Sequence, residues 1–119
     1  MQQERRTPRF AFSASAEIIH GASVELTSVT DLSLYGCYLA TYTQFPPGAR
    51  VTVKIFSGDE FFEAPATVLY SGRTFGIGLG FREVKPVFLG VLRKWLRGAL
   101  DASNAAVPPI SGGESETDS

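Results

Sequence analysis

Two short groups of residues in this 119-residue chain have the chemistry to recognise an anion or the edge of a purine. The first is Glu4-Arg5-Arg6-Thr7-Pro8-Arg9, three arginines within five residues. A guanidinium is planar, permanently charged and forked, so it binds phosphate or the O6/N7 edge of guanine through paired hydrogen bonds. The second is Asp31-Leu32-Ser33-Leu34-Tyr35-Gly36. A carboxylate can accept from the N1 and N2 donors of guanine, and a hydroxyl beside it can donate or accept. A glycine lets a flat base approach with no Cβ in the way. Each group taken alone also has a plain structural reading. Three arginines at a terminus are often a solvated charge cluster, and Asp with Ser before Gly is often an ordinary turn.

The elements that would position these groups can be read from hydrophobic period. Phe10, Phe12, Ala14, Ala16 and Ile18 recur every second residue, which predicts a strand. After a turn at His20-Gly21, Val24, Leu26 and Ser28 alternate in a second strand that runs toward Asp31. A short apolar strand is expected at Cys37–Ala40, a loop at Pro46-Pro47-Gly48, and a further strand through Val51, Val53 and Ile55. Ser57-Gly58-Asp59-Glu60 reads as a hairpin connection. Phe62, Ala64, Ala66, Val68 and Tyr70 then share one face, with Pro65 pointing to an edge position or a bulge. Phe75, Ile77, Leu79 and Phe81 alternate with Gly76, Gly78 and Gly80. That glycine face is open to close approach by another backbone, a helix or a ligand.

The period changes after Pro86. Phe88, Val91, Leu92, Trp95, Leu96 and Ala99 form the apolar stripe of a helix, with Arg93, Lys94 and Arg97 on its outer face. Six or seven short strands followed by one helix predict a closed or nearly closed antiparallel barrel. The Phe88/Leu92/Trp95 face would cap one opening. Residues 1–9 read as a flexible leader, 10–100 as the barrel with its helix, and 101–119 as a disordered acidic tail.

Composition narrows the function classes. Apolar residues make up 44%, as in a globular domain. Cys37 and His20 are single, so no intramolecular disulfide or cysteine-based zinc site is available, and no cofactor is expected. The charged N-terminus is not followed by an apolar run, and nothing approaches the roughly 20 apolar residues of a membrane span. The expectation is a cytoplasmic protein without membrane insertion. The net charge of −1 divides into +3 over residues 1–100 and −4 over the last 19. A body at +3 is far less basic than a nucleic-acid binder, and the aromatics follow core periodicities, so neither DNA nor RNA is expected as a partner. His20 has no motif around it, Gly76, Gly78 and Gly80 lack the Gly-Lys-Ser/Thr of a P-loop, and no acid–base or nucleophile set emerges. The chain is not expected to be an enzyme. Cys37 and Trp95 read as core, and Glu60 and Glu63 as solvated strand charges.

Together the two polar groups say more than either alone. An RxxxR at Arg5–Arg9, then a DxSxxG that begins 22 residues after Arg9, resembles the PilZ domain family of bacteria. Gly76-Ile77-Gly78-Leu79-Gly80-Phe81 is similar to that family's late glycine-rich strand, and the helix after Pro86 stands where its closing helix would be. The resemblance covers about residues 4–100. It implies a six-stranded antiparallel β-barrel with a C-terminal α-helix that binds cyclic di-GMP. Arg5 and Arg9 would contact phosphates and guanine, Asp31, Ser33 and Gly36 would line a guanine pocket, and Arg6 could add a charge contact. The leader before Phe10 has no apolar anchor of its own, so the expected effector orders its N-terminal arginine segment on binding and signals to a partner protein through the new surface. The alternative is an interaction adaptor of the same fold with weak or no nucleotide binding. One position departs from the family pattern. Many members carry an extra arginine where this chain has Glu4, which favours one ligand per site over a stacked pair.

Overall fold

The period-two runs become six strands: β1 Phe10–His20, β2 Ser23–Leu32, β3 Gly36–Leu39, β4 Arg50–Ser57, β5 Glu60–Ser71 and β6 Ile77–Phe81. One helix, α1 Pro86–Ala106, comes after them. The computed structural model describes residues 8–106, with side chains through residue 102. All strand pairs are antiparallel, and the order β1-β2-β3-β6-β5-β4 closes on itself through β1 and β4. Closure leaves no unpaired edge along the sheet.

The barrel interior holds Ile18 of β1, Val29 and Leu32 of β2 and Leu39 of β3. Val53 and Ile55 of β4, Phe62 and Val68 of β5, and Ile77 of β6 complete it. Helix α1 closes one opening. Pro86 supplies its first residue, where a missing N–H costs nothing. Leu92 and Trp95 are buried against the barrel, Trp95 stacks on Phe12 at 5.4 Å, and Phe88 meets Phe62 at 6.3 Å. Arg93, Lys94 and Arg97 face solvent. The helix runs to Ala106, six residues into the segment expected to be tail. Residues 101–106 include three alanines and no proline, so nothing in their chemistry stops it.

Three local readings change. Val24 and Leu26 alternate as expected but face outward, at 58% and 77% exposed. Antiparallel partners share a face, and buried Ile18 pairs with Glu25, so the intervening residues of β2 must point away from the core. Glu25 instead meets the buried Thr41 hydroxyl. Phe75 does not continue the inner face of β6. Gly76 sits between them at φ 87°, which breaks the extended run, and Phe75 packs on Tyr42 at 4.6 Å. Pro65 is not in a bulge, and its β6 side lies one residue beyond the ladder that ends at Ala66 and Phe81, a local edge inside a closed sheet. It pairs with Thr52 of β4, and its carbonyl accepts from Arg82 N–H, just past the end of β6. The N–H and C=O of a strand residue point the same way, so the missing donor faces beyond the last β6 residue.

Candidate functional site

The connection from β2 to β3 is built by Ser33. Its N–H donates to the Gly36 carbonyl at 2.9 Å and closes the turn. Its hydroxyl oxygen accepts from the N–H groups of Tyr35 (3.2 Å) and Gly36 (3.1 Å), and the hydroxyl lies within donating distance of the Gly36 carbonyl at 3.3 Å. Ser33 is buried, and its hydrogen-bonding capacity is used inside the turn. Gly36 is fixed by the backbone as well. It pairs with Gly80, and a Cβ on it would run into the Leu79 carbonyl oxygen. Two members of the DxSxxG group are therefore demanded by the fold itself.

Asp31 is placed by a bulge. Between Val29 and Asp31 the β2–β3 register slips by one residue, with Thr30 as the extra residue. Val29 and Leu32 are both buried, and the slip lets Asp31 between them turn outward, opposite Tyr38. Without it, strict alternation from Val29 would aim the carboxylate into the apolar core, where an unpaired charge is very costly.

Arg9, Asp31, Ser33 and Gly36 line one open cavity of about 450 Å³ on the outer wall of the barrel. Arg9 is exposed and immediately precedes β1. It also lines a second groove of about 700 Å³ between the start of β1 and α1, where Phe12 and Trp95 form part of the wall. Arg5 and Arg6 lie outside the described residues.

Of the rest of the cavity, the sequence marks only the glycine face, Gly78 included, as open to a ligand. Tyr38 of β3, Gly78 of β6, and Leu69 and Tyr70 of β5 line the cavity. Tyr70 was expected on the inner face with Val68. A second bulge between Val68 and Tyr70 reverses it, so that it pairs with outward-facing Gly78. The glycine face of β6 is covered by side chains of neighbouring strands. A Cβ on Gly78 would strike the Tyr70 ring, one on Gly76 the Tyr38 ring, and one on Gly80 would crowd Leu69. No composition marks a bulge, but three glycines in alternation, Gly76, Gly78 and Gly80, are the available signal that neighbouring side chains can cross this segment. Cys37 lies at the cavity floor but is buried, and burial pushes its thiol up to about 12. It holds its proton there.

Glu60 was read as a solvated charge; it joins α1 to the β4–β5 hairpin. It accepts from Lys94 Nζ at 3.1 Å and Trp95 Nε1 at 3.3 Å, and the Lys94 hydrogen bond lowers its carboxyl below the usual value. Among the described residues, no group of His, Cys, Asp and Glu is arranged to hold a metal ion, and no helix is long and apolar enough to cross a membrane.

The sequence matches the PilZ domain family over residues 3–98. The chain belongs to the PilZ family. PilZ domains are binding and effector domains. Solved structures share the fold. The PilZ domain of Escherichia coli YcgR with c-di-GMP is 20% identical, with a TM-score of 0.65, and 86% of this chain covers 98% of it. The Klebsiella pneumoniae MrkH–c-di-GMP complex is 18% identical with a TM-score of 0.75, covering 88% of this chain and 56% of that one. Bacillus subtilis inhibitor of motility, MotI/DgrA, is 16% identical with a TM-score of 0.69, covering 84% and 53%. This PilZ chain thus spans about half the length of the MrkH and MotI/DgrA chains and nearly all of the YcgR domain. No curated protein matches the sequence.

Proposed function

We propose that this PilZ domain is a receptor for cyclic di-GMP, bound on the outer barrel wall. The observation that carries the reading is the convergence of Arg9, Asp31, Ser33 and Gly36 on one cavity, in a family with c-di-GMP-bound relatives of the same fold. Arg5 and Arg9 supply charge-assisted hydrogen bonds to phosphate and to the guanine O6/N7 edge, with Arg6 as an added charge. Asp31 accepts from the guanine N1 and N2 donors. Ser33 and Gly36 act by holding the turn that presents Asp31. Glu4 favours a single ligand per site.

Binding draws the arginine segment onto the barrel and creates a surface for a partner protein. Arg9 borders both the cavity and the β1–α1 groove, so its capture reshapes the mouth of the groove beside Trp95. Calorimetric titration with cyclic di-GMP tests the reading. Arg5→Ala, Arg9→Ala and Asp31→Ala are each expected to weaken binding by at least about tenfold, as for loss of a charge-assisted hydrogen bond. Hydrogen exchange over residues 1–9 is expected to slow on binding. Absence of binding by the native protein, or unchanged affinity in all three variants, overturns it.

A further inference from the structure

The groove between the start of β1 and α1 has an apolar floor and a cationic rim. Phe12 and Trp95, stacked at 5.4 Å, form one end of the floor, and Gly98, Ala99 and Ala102 continue it along the helix. A Cβ on Gly98 would meet nothing within 4 Å, so the trough is open there. Arg9 borders it on the β1 side and Lys94 on the helix side, both exposed. Among the described residues, no carboxylate lines it. Apolar surface framed by cations suits a segment that pairs an apolar residue with carboxylates.

The chain carries such a segment directly beyond the helix. Val107-Pro108-Pro109-Ile110 is apolar, Glu114, Glu116 and Asp118 follow it, and residues 107–119 hold no base. The reach is sufficient. Glu114 stands eight residues past Ala106, a span of up to about 26 Å when extended, and Lys94 lies twelve helical residues back, about 18 Å. Tethering holds the segment near the groove at an effective concentration of about millimolar, so a weak contact is populated. Residues 1–7 are a poorer match, because Arg5 and Arg6 outweigh Glu4 and would meet Arg9 and Lys94 with like charge.

We infer that residues 107–119 dock in the β1–α1 groove of their own chain, with Ile110 on the Ala99/Ala102 floor and the acidic side chains beside Lys94 and Arg9. Arg9 also lines the β2–β3 cavity, so the docked tail and a bound phosphate compete for one guanidinium. That competition rests on the cyclic di-GMP reading; the docking does not.

A nitroxide on Ser115→Cys of the full chain tests the docking without nucleotide, Cys37 being buried. Enhanced NMR relaxation is expected at the Trp95 indole N–H and at the Ala99 and Ala102 amides, independent of protein concentration. Two changes in the labelled chain should remove most of it. One is Gly98→Leu, which fills the trough. The other is the neutral set Glu114→Gln, Glu116→Gln and Asp118→Asn. Gly98→Leu puts a good helix former on an open position, so its unfolding temperature is expected at or above the native one. The neutral set carries the result should that variant fail to fold. Without the label, both are expected to bind cyclic di-GMP about fivefold more tightly than native protein, as for release of a tail docked about 80% of the time. Gly98→Leu leaves every charge in place, so its gain cannot come from long-range attraction. Absence of relaxation in the labelled native background, or relaxation that persists in Gly98→Leu, overturns the docking. Relaxation that grows with concentration overturns it too and assigns the groove to a second copy of the chain. Unchanged nucleotide affinity in both variants overturns the competition for Arg9. Failure of the native protein to bind the nucleotide removes the receptor reading and the competition with it, and the label still decides the docking.

Discussion

The Ser33 hydroxyl accepts the Gly36 N–H at 3.1 Å and holds the turn from which Asp31 is presented. Removing that hydroxyl leaves the N–H groups of Tyr35 and Gly36 without their acceptor. Ser33→Ala is therefore expected to lower unfolding free energy by about 1–2 kcal/mol, measured by urea denaturation. If the hydroxyl touched only a ligand, the ligand-free stability of the variant would equal that of native protein.

Gly36→Ala meets a harder constraint. The new Cβ would press on the Leu79 carbonyl across the β3–β6 pair, and backbone on both sides must give way. A loss of at least about 2 kcal/mol is expected, on the scale of an overpacked interior. The cross-strand amide chemical shifts of Leu79 and Gly80 should move with it. Loss of nucleotide binding in this variant would report strand separation, so Arg9 and Asp31 are the informative positions for ligand contact.

Cys37 gives a prediction in alkali. Its ordinary thiol value is 9.0, and burial raises it to about 12 in the fold. A raised value means that the stabilising contribution is fully present below pH 9.0 and is lost as pH climbs toward about 12. Native protein at pH 8 is expected to resist a thiol-alkylating reagent, and the same protein in denaturant to react promptly. Rapid modification of folded protein would contradict the burial.

Glu60 gives the acid counterpart. Its folded carboxyl lies below the ordinary value because Lys94 hydrogen-bonds it, with the Trp95 indole a smaller contributor. The contribution is thus present above the ordinary glutamate range and disappears as pH falls through the lowered value. Trp95 emission should respond in that acid range. In Glu60→Gln the same response should be absent, and salt of about 1 M should diminish it in native protein, as for any exposed ion pair.

Much of this was legible in the residues. Ile18 and Ala16, Val51 through Ile55, and Leu92 with Trp95 kept the faces that their periods implied, because alternation or helical period is unbroken through those stretches. The gathering of Arg9, Asp31, Ser33 and Gly36 was legible as a spacing. The places that escaped are those where alternation is broken by one residue. The extra residues at Thr30 and Leu69 carry no compositional mark, yet each reverses the facing of its strand from that point on. At Asp31 the error is harmless, because a carboxylate is expected outside. At Tyr70 it hides a cavity wall, since an aromatic residue after Val68 looks like core. The outward turn of Val24 and Leu26 also depends on the pairing partner, and pairing is a property of two strands that neither states alone.

The cavity lies on the outer wall of a closed barrel, and this has an evolutionary consequence. Asp31, Leu69 and Tyr70 can each be exchanged without opening the interior packed by Ile18, Phe62 and Ile77. Within the DxSxxG group, Ser33 and Gly36 are tied to the architecture and Asp31 is not. A lineage that abandoned its ligand would thus be free to drift at the outward positions while the turn residues stayed under selection for folding. A surviving Ser-x-x-Gly in a descendant would then testify to ancestry, and the state of Arg9 and Asp31 to present use.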